Sequence, residues 1–135
     1  MREIKFRAWD GNRIREIFKI IFQQEGASVF FTDTNPPFEA GHLPMHDERL
    51  KLMQYTGLKD KNGKEIYEGD ILQDTLTKII YAVKFGNCKK YAFNGWYVEN
   101  EYYDSRPING DYDTNVNSKI EVIGNIYENP ELLTT

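Results

Sequence analysis

Hydrophobic and polar residues alternate along most of the chain in short runs, and turn residues separate these runs. Over residues 3–9, apolar and charged residues alternate, which is the pattern of a strand with one buried face. Residues 13–23 fit both a helical and a strand spacing, and their β-branched and aromatic content favours a strand. With a further strand over 28–32, the first part of the chain predicts a three-stranded meander.

Strand patterns return in the second half of the chain. Residues 48–54 fit either a short strand or one helical turn, and strands are predicted over 70–73, 79–85 and 119–127. Turns are expected at Gly86-Asn87 and Asn94-Gly95. The proline-rich segment 33–47 and the Asp-, Asn- and Tyr-rich segment 101–117 have no apolar period, so both predict long loops.

Two turn signals stand close together between residues 54 and 72. Asn62-Gly63 predicts a two-residue hairpin turn, which requires positive φ at both positions. Gly69-Asp70 predicts the turn from which the next strand begins. These four residues are interpreted as structural.

The expected fold is mainly β. It consists of a small SH3-like five-stranded barrel, with the N-terminal β-meander packed beside it and one short C-terminal helical turn that Asn129 caps. A length of 135 residues suits a single domain, 1–135. Within it, residues 1–46 supply the N-terminal strands and a loop, and residues 47–135 form the barrel.

The net charge of −4 is distributed unevenly. Residues 1–46 are balanced, residues 47–90 carry +2, and residues 91–135 carry −6. The N-terminus does not read as a signal peptide, and no apolar run approaches the roughly 20 residues of a membrane span. With Cys88 as its single cysteine, the chain is expected in the cytoplasm, away from membranes.

Carboxylates in the central stretch are the candidates for catalysis. Glu65, Glu68 and Asp70 lie close in sequence, and paired carboxylates can divide acid and base roles. No nucleophile, base and orienting group stand in a recognisable pattern, and Cys88 has no base nearby in sequence. The prediction is therefore a protein without catalytic residues, and not an enzyme.

Two patterns suggest metal ions, and both are incomplete. His42 and His46 have helical i, i+4 spacing with Asp47 next to them, but Pro44 disfavours a helix there. Asp111, Asp113 and Asn115 match the start of an EF-hand loop, but Val116 and Val122 replace its glycine and its closing glutamate. No metal and no cofactor are predicted.

Aromatic and basic residues suggest two kinds of macromolecular partner. A segment with lysines and aromatic rings has the composition that binds nucleic acids, unless its rings fill the core: Lys89, Lys90, Tyr91, Trp96 and Tyr97. Three tyrosines in the acidic segment suit a protein interface instead: Tyr102, Tyr103 and Tyr112. The second interpretation, with a host or phage protein or a second copy as partner, is preferred, and nucleic-acid binding is the alternative.

Three parts of the chain carry a distinctive sequence in a distinctive order. Arg2–Asp10 reads REIKFRAWD, Gln54–Leu72 reads QYTGLKDKNGKEIYEGDIL, and Glu121–Leu133 reads EVIGNIYENPELL. Together they resemble the YopX family of small proteins from bacteriophages and prophages. The resemblance implies a phage or prophage accessory protein, a cytoplasmic place in the infected bacterium and a mainly β fold. It carries over no catalytic residues.

Overall fold

The computed structural model describes residues 4–24, 26–32, 42–44, 47–88, 93–99, 106–107 and 119–133. Within these residues the chain is mainly β, as predicted, and all its strand pairs are antiparallel. The chain divides into two compact units, Lys5–Gln54 and Tyr55–Thr135 with Met1–Ile4. The division into units falls between residues 54 and 55, and the single-domain organisation stays a prediction.

The strands are numbered in chain order. Those with residues in the first unit are β1 (Phe6–Trp9), β2 (Ile14–Gln23), β3 (Gly26–Phe31), β4 (His42–Pro44) and β5 (Lys51–Lys59). The second unit contains the end of β5 together with β6 (Glu65–Tyr67), β7 (Asp70–Asp74), β8 (Ile80–Cys88), β9 (Phe93–Glu99), β10 (Arg106–Pro107) and β11 (Ile120–Asn125). A 3₁₀ helix, Pro130–Leu133, follows β11 and confirms the predicted helical turn.

The first unit is a sheet in the order β4-β3-β2-β1-β5. The predicted meander is confirmed, because β1, β2 and β3 pair consecutively. One face buries Ala8, Val29, Phe31 and Leu50, with Leu52 and other half-buried side chains packed on them. The segment 33–47 is not a loop throughout, since His42–Pro44 pairs with β3. Of the strand and the helical turn predicted for residues 48–54, the strand is confirmed, because β5 begins at Lys51.

The second unit contains a five-stranded sheet in the order β10-β9-β8-β7-β11. Its core is a cluster of buried side chains: Ile66, Leu72, Tyr81, Val83, Trp96 and Val98. The predicted SH3-like barrel differs from this arrangement, because the described strands form two sheets and do not close. The outer edge of β11 is occupied otherwise: the backbone N–H of Lys61 donates to Ile120 O at 2.9 Å, and that of Val122 donates to Asp60 Oδ2 at 3.0 Å. These bonds engage the Ile120 carbonyl and the Val122 N–H, two groups that a closing strand would otherwise pair with.

The predicted turns at Gly86-Asn87 and Asn94-Gly95 are wrong. Both dipeptides lie inside the β8–β9 ladder, where Gly86 faces Gly95 and Asn87 faces Asn94. Apolar residues pair on one side of these positions and on the other, so the ladder continues through them. Glycine tolerates the unusual φ of 134° at Gly86 and 145° at Gly95. Tertiary pairing therefore overrides the local turn preference.

The β5–β6 hairpin exists, but its turn is wider than the two residues predicted. Gly63 has φ of 80°, whereas Asn62 does not have positive φ. The Gly63 N–H donates to Asp60 O at 3.0 Å, and the Asp60 N–H donates to Lys64 O at 2.8 Å. This is a four-residue turn, 60–63, whose last residue, Gly63, is in the left-handed region, a common alternative to the two-residue Asn-Gly turn.

Replacing Gly63 tests this backbone conformation. We expect Gly63→Val to destabilise the protein by about 1–2 kcal/mol, because a β-branched residue resists positive φ. Nothing lies within 4 Å of the position that a Cβ would occupy, so steric contact adds no cost. Gly63→Asn is the matched control, since asparagine tolerates this region and should cost less. Urea unfolding measures both, and equal midpoints for Gly63→Val and the wild type would contradict the assigned turn.

Candidate functional site

The central carboxylates Glu65, Glu68 and Asp70 belong to β6, to the turn that follows it and to the first position of β7. Asp70 is buried, and its Oδ2 accepts the backbone N–H of Tyr67 at 2.8 Å. Glu65 Oε1 accepts the Tyr67 hydroxyl at 3.3 Å. Burial, together with the negative charge of Glu68, raises the pKa of Tyr127. Asp70 therefore supports the backbone of the turn that Gly69, with φ of 87°, makes possible.

Asp60 is a buried carboxylate that accepts three backbone hydrogen bonds, and the sequence interpretation missed its role. Its Oδ1 accepts the N–H groups of Asn62 at 2.8 Å and Lys64 at 2.9 Å, and its Oδ2 accepts that of Val122 at 3.0 Å. Asp74 repeats the local part of this arrangement in the β7–β8 turn, where its Oδ1 accepts two N–H groups. Aspartate is favoured at the first position of such turns, and this preference is the sequence signal that could have found both residues.

A third polar arrangement closes the C-terminal corner. Asn125 Oδ1 accepts the N–H groups of Tyr127 and Glu128, while the Asn125 N–H donates to Asn129 Oδ1 at 3.2 Å. The Asn129 side chain therefore reaches back to β11, and its backbone carbonyl accepts the N–H of Leu132 in the 3₁₀ helix. Gly124 makes room for this contact, since a Cβ there would lie 2.5 Å from Asn129 Oδ1.

Charged pairs in the first unit also hold turns. Burial acts to raise the pKa of Asp10, but hydrogen bonds from the Arg13 and Asn12 N–H groups, with the Arg15 guanidinium, bring that pKa below its ordinary value. The Arg15 guanidinium lies 4.0 Å from the centre of the Phe31 ring. These contacts tie the β1–β2 turn to the core.

The candidate metal and nucleophile residues are described only in part. Asp47 is engaged by Arg49, whose Nε and NH2 donate to its two carboxylate oxygens at 3.0 and 2.7 Å. Of the other candidates, His46 and residues 111–115 lie outside the described residues, as do the side chains of His42 and Cys88. Among the residues with described placement, no three His, Cys, Asp or Glu side chains are grouped to hold a metal ion.

The nucleic-acid segment is described only in part. Lys89, Lys90 and Tyr91 lie outside the described residues. Trp96 is 5% exposed and belongs to the core, so its ring offers little surface for stacking on a base, and Tyr97 is half-buried. The binding role of this segment stays a prediction. The three tyrosines proposed for a protein interface, Tyr102, Tyr103 and Tyr112, lie outside the described residues.

Two exposed phenylalanines were not anticipated. In the β2–β3 hairpin, Ile20 faces Val29 in the core, and two residues further along the same face Phe22 is 79% exposed. In the β8–β9 hairpin, Val83 faces Val98 in the core, and on the same face Phe85 is 54% exposed. In both hairpins the row of apolar residues on one face of the strand continues beyond the buried cluster. The alternation of the sequence predicts which face is apolar but not where along the strand the core ends.

The chain is an all-β protein with two antiparallel sheets, and the buried Asp and Asn side chains in its described part bond to the backbone of turns. None of the described helices has the length and apolar character to cross a membrane.

The chain belongs to the YopX family, because the family model described as YopX protein matches residues 5–134. Among solved structures it is similar to protein EF1440 from Enterococcus faecalis, with 26% identity, a TM-score of 0.61, and coverage of 98% of this chain and 99% of that one. It is also similar to protein YopX from Bacillus subtilis, with 24% identity, a TM-score of 0.58 and the same coverage, which supports the fold alone. Comparison with curated proteins finds no match.

Proposed function

We propose that the chain is a non-catalytic β domain that binds another protein, and that it serves as an accessory protein of a phage or prophage in the host cytoplasm. The exposed Phe22 and Phe85 carry the proposal, because each extends an apolar row from a core into solvent. Aromatic side chains are enriched at protein interfaces and supply much of their binding energy. A second copy of the chain, a host protein or a phage protein is the partner.

The turn architecture supports the absence of catalysis. Of the three buried aspartates among the described residues, Asp60 accepts three backbone N–H groups, Asp74 accepts two and Asp70 accepts one, so each has a structural function. A general base needs an oxygen within reach of a substrate proton, whereas these aspartates direct carboxylate oxygens to the backbone of their own turns.

Self-association is the form of this proposal that can be tested directly. In sedimentation velocity over a wide range of protein concentration, we expect the wild type to associate and the double variant Phe22→Ser, Phe85→Ser to remain monomeric. Leu76→Ser is the matched control, because Leu76 is 72% exposed in a turn outside both apolar rows. A wild type that stays monomeric throughout would contradict self-association, and a double variant that associates like the wild type would contradict the role of the two rings.

The phage or prophage origin has its own test. The genes that surround the coding sequence should be phage genes, and a cluster of small early genes would favour interference with host proteins. A chromosomal neighbourhood without phage genes would contradict this part of the proposal.

A further inference from the structure

Five lysines gather at one end of the second unit. Three belong to the β5–β6 turn region, one to the β7–β8 turn and one to the start of β11: Lys59, Lys61, Lys64, Lys78 and Lys119, hereafter the lysine end. Two backbone hydrogen bonds hold these segments together. The Lys61 N–H donates to Ile120 O at 2.9 Å, and the Thr75 N–H donates to Lys119 O at 2.8 Å.

At this end the positive charges are mostly exposed, and the aspartates of the two turns are buried. Lys59, Lys61, Lys64 and Lys78 are exposed, whereas the carboxylates of the same two turns, Asp60 and Asp74, are buried. Within the described residues, no ion pair engages any of the five ammonium groups. Glu65 and Glu121 are the half-buried acids nearby, and each accepts a side-chain hydrogen bond, from Tyr67 and Asn62 respectively. The exposed charged side chains of the two turns are therefore all lysines, in a protein whose net charge is −4.

The neutral residues of the two turns supply further donors. Asn62 and Thr77 are exposed between the lysines, and amide and hydroxyl groups of this kind accompany lysine at phosphate contacts. Lysine provides a flexible point charge for phosphate without demanding one geometry. A repeating phosphodiester backbone matches several such charges spread over two adjacent turns.

We propose that the lysine end binds the phosphate backbone of a nucleic acid, independently of sequence. This goes beyond the protein-binding function above, and the lysine end shares no residue with the segment that contains Lys89 and Tyr91.

The test measures the salt dependence of DNA binding by the full chain. Fluorescence anisotropy follows a labelled duplex and a labelled single strand of equal length through a series of NaCl concentrations. We expect binding by the wild type at low salt, with the logarithm of the association constant falling linearly with the logarithm of the salt concentration. In the variant Lys59→Gln, Lys61→Gln, Lys64→Gln, the slope on duplex DNA should shrink by about 0.9 for each phosphate that the protein no longer neutralises.

The matched control removes the same charge elsewhere. Lys19→Gln, Lys51→Gln, Lys84→Gln replaces three exposed lysines outside the lysine end and should leave the slope close to that of the wild type. Urea unfolding shows whether each triple variant is folded. If the first is not, Lys78→Gln tests the other turn, and its slope should be smaller than that of the wild type by about 0.9.

Three results would overturn the inference. They are no binding to either DNA at low salt, an equal decrease of the slope in the two triple variants, or a decrease found only with Lys89→Gln, Lys90→Gln. None of these results bears on the association of the protein through Phe22 and Phe85.

Discussion

Asp60→Ala should lower the free energy of unfolding by about 3 kcal/mol. The substitution removes the acceptor of three backbone N–H groups, those of Asn62, Lys64 and Val122. A donor left without an acceptor on burial costs about 1–3 kcal/mol, and water restores part of this at the half-buried positions. The decrease is measured by urea unfolding at neutral pH, with the midpoint and the slope fitted separately.

Two further variants separate the contributions of Asp60. Asp60→Asn keeps one side-chain oxygen and should be intermediate, because its amide group cannot accept an N–H. Asn62→Ala removes only a 3.4 Å side-chain bond to Glu121 at an exposed position, so it should change stability by less than about 0.5 kcal/mol. An Asp60→Ala protein as stable as the wild type would show that these N–H groups find other acceptors.

Gly124→Ala should lower the free energy of unfolding by about 3 kcal/mol. The new Cβ would lie 2.5 Å from Asn129 Oδ1 and 2.9 Å from its Cγ, distances that require the side chain to move. Moving it also breaks the 3.2 Å hydrogen bond from the Asn125 N–H. The φ of Gly124 is not positive, so the cost comes from contact rather than backbone strain.

A double-mutant cycle identifies that contact as the cause. Asn129→Ala removes the two nearest atoms and leaves only a Cβ contact of 3.1 Å. In that background Gly124→Ala should cost less than about 1 kcal/mol, which gives a coupling energy of about 2 kcal/mol between the two sites. Additive effects would mean that the glycine is required for another reason.

Local alternation was enough to predict much of the fold. β1 follows from the alternation of apolar and charged residues, and β2 from its β-branched and aromatic content. The 3₁₀ helix follows from Pro130 at its first position. The same signal failed where long-range pairing decides the outcome. Gly86 and Asn87 look like a turn in sequence, yet they continue a strand because Gly95 and Asn94 lie opposite.

The roles of individual side chains were harder to predict. Asp70 was placed at its turn, but nothing local shows that Asp60 bonds to Val122, a residue 62 positions away. Trp96 and Phe85 face each other with ring centres 4.6 Å apart, although one is buried and the other exposed. Composition alone cannot separate two such rings, so a candidate binding surface needs the structure.

The bond between Asp60 and Val122 also determines when the second unit becomes complete during synthesis. The first unit has its strand partners once residue 54 has left the ribosome, since β1 pairs with Lys51–Gln54. The β5–β6 turn acquires its hydrogen bond from Val122 only when β11, near the end of the chain, has been synthesised. During translation the N-terminal meander can therefore form first, while β7 still lacks its partner β11. Until β11 is synthesised, the unpaired edge of β7 can promote aggregation. A truncated product that ends before β11 would keep that edge open permanently.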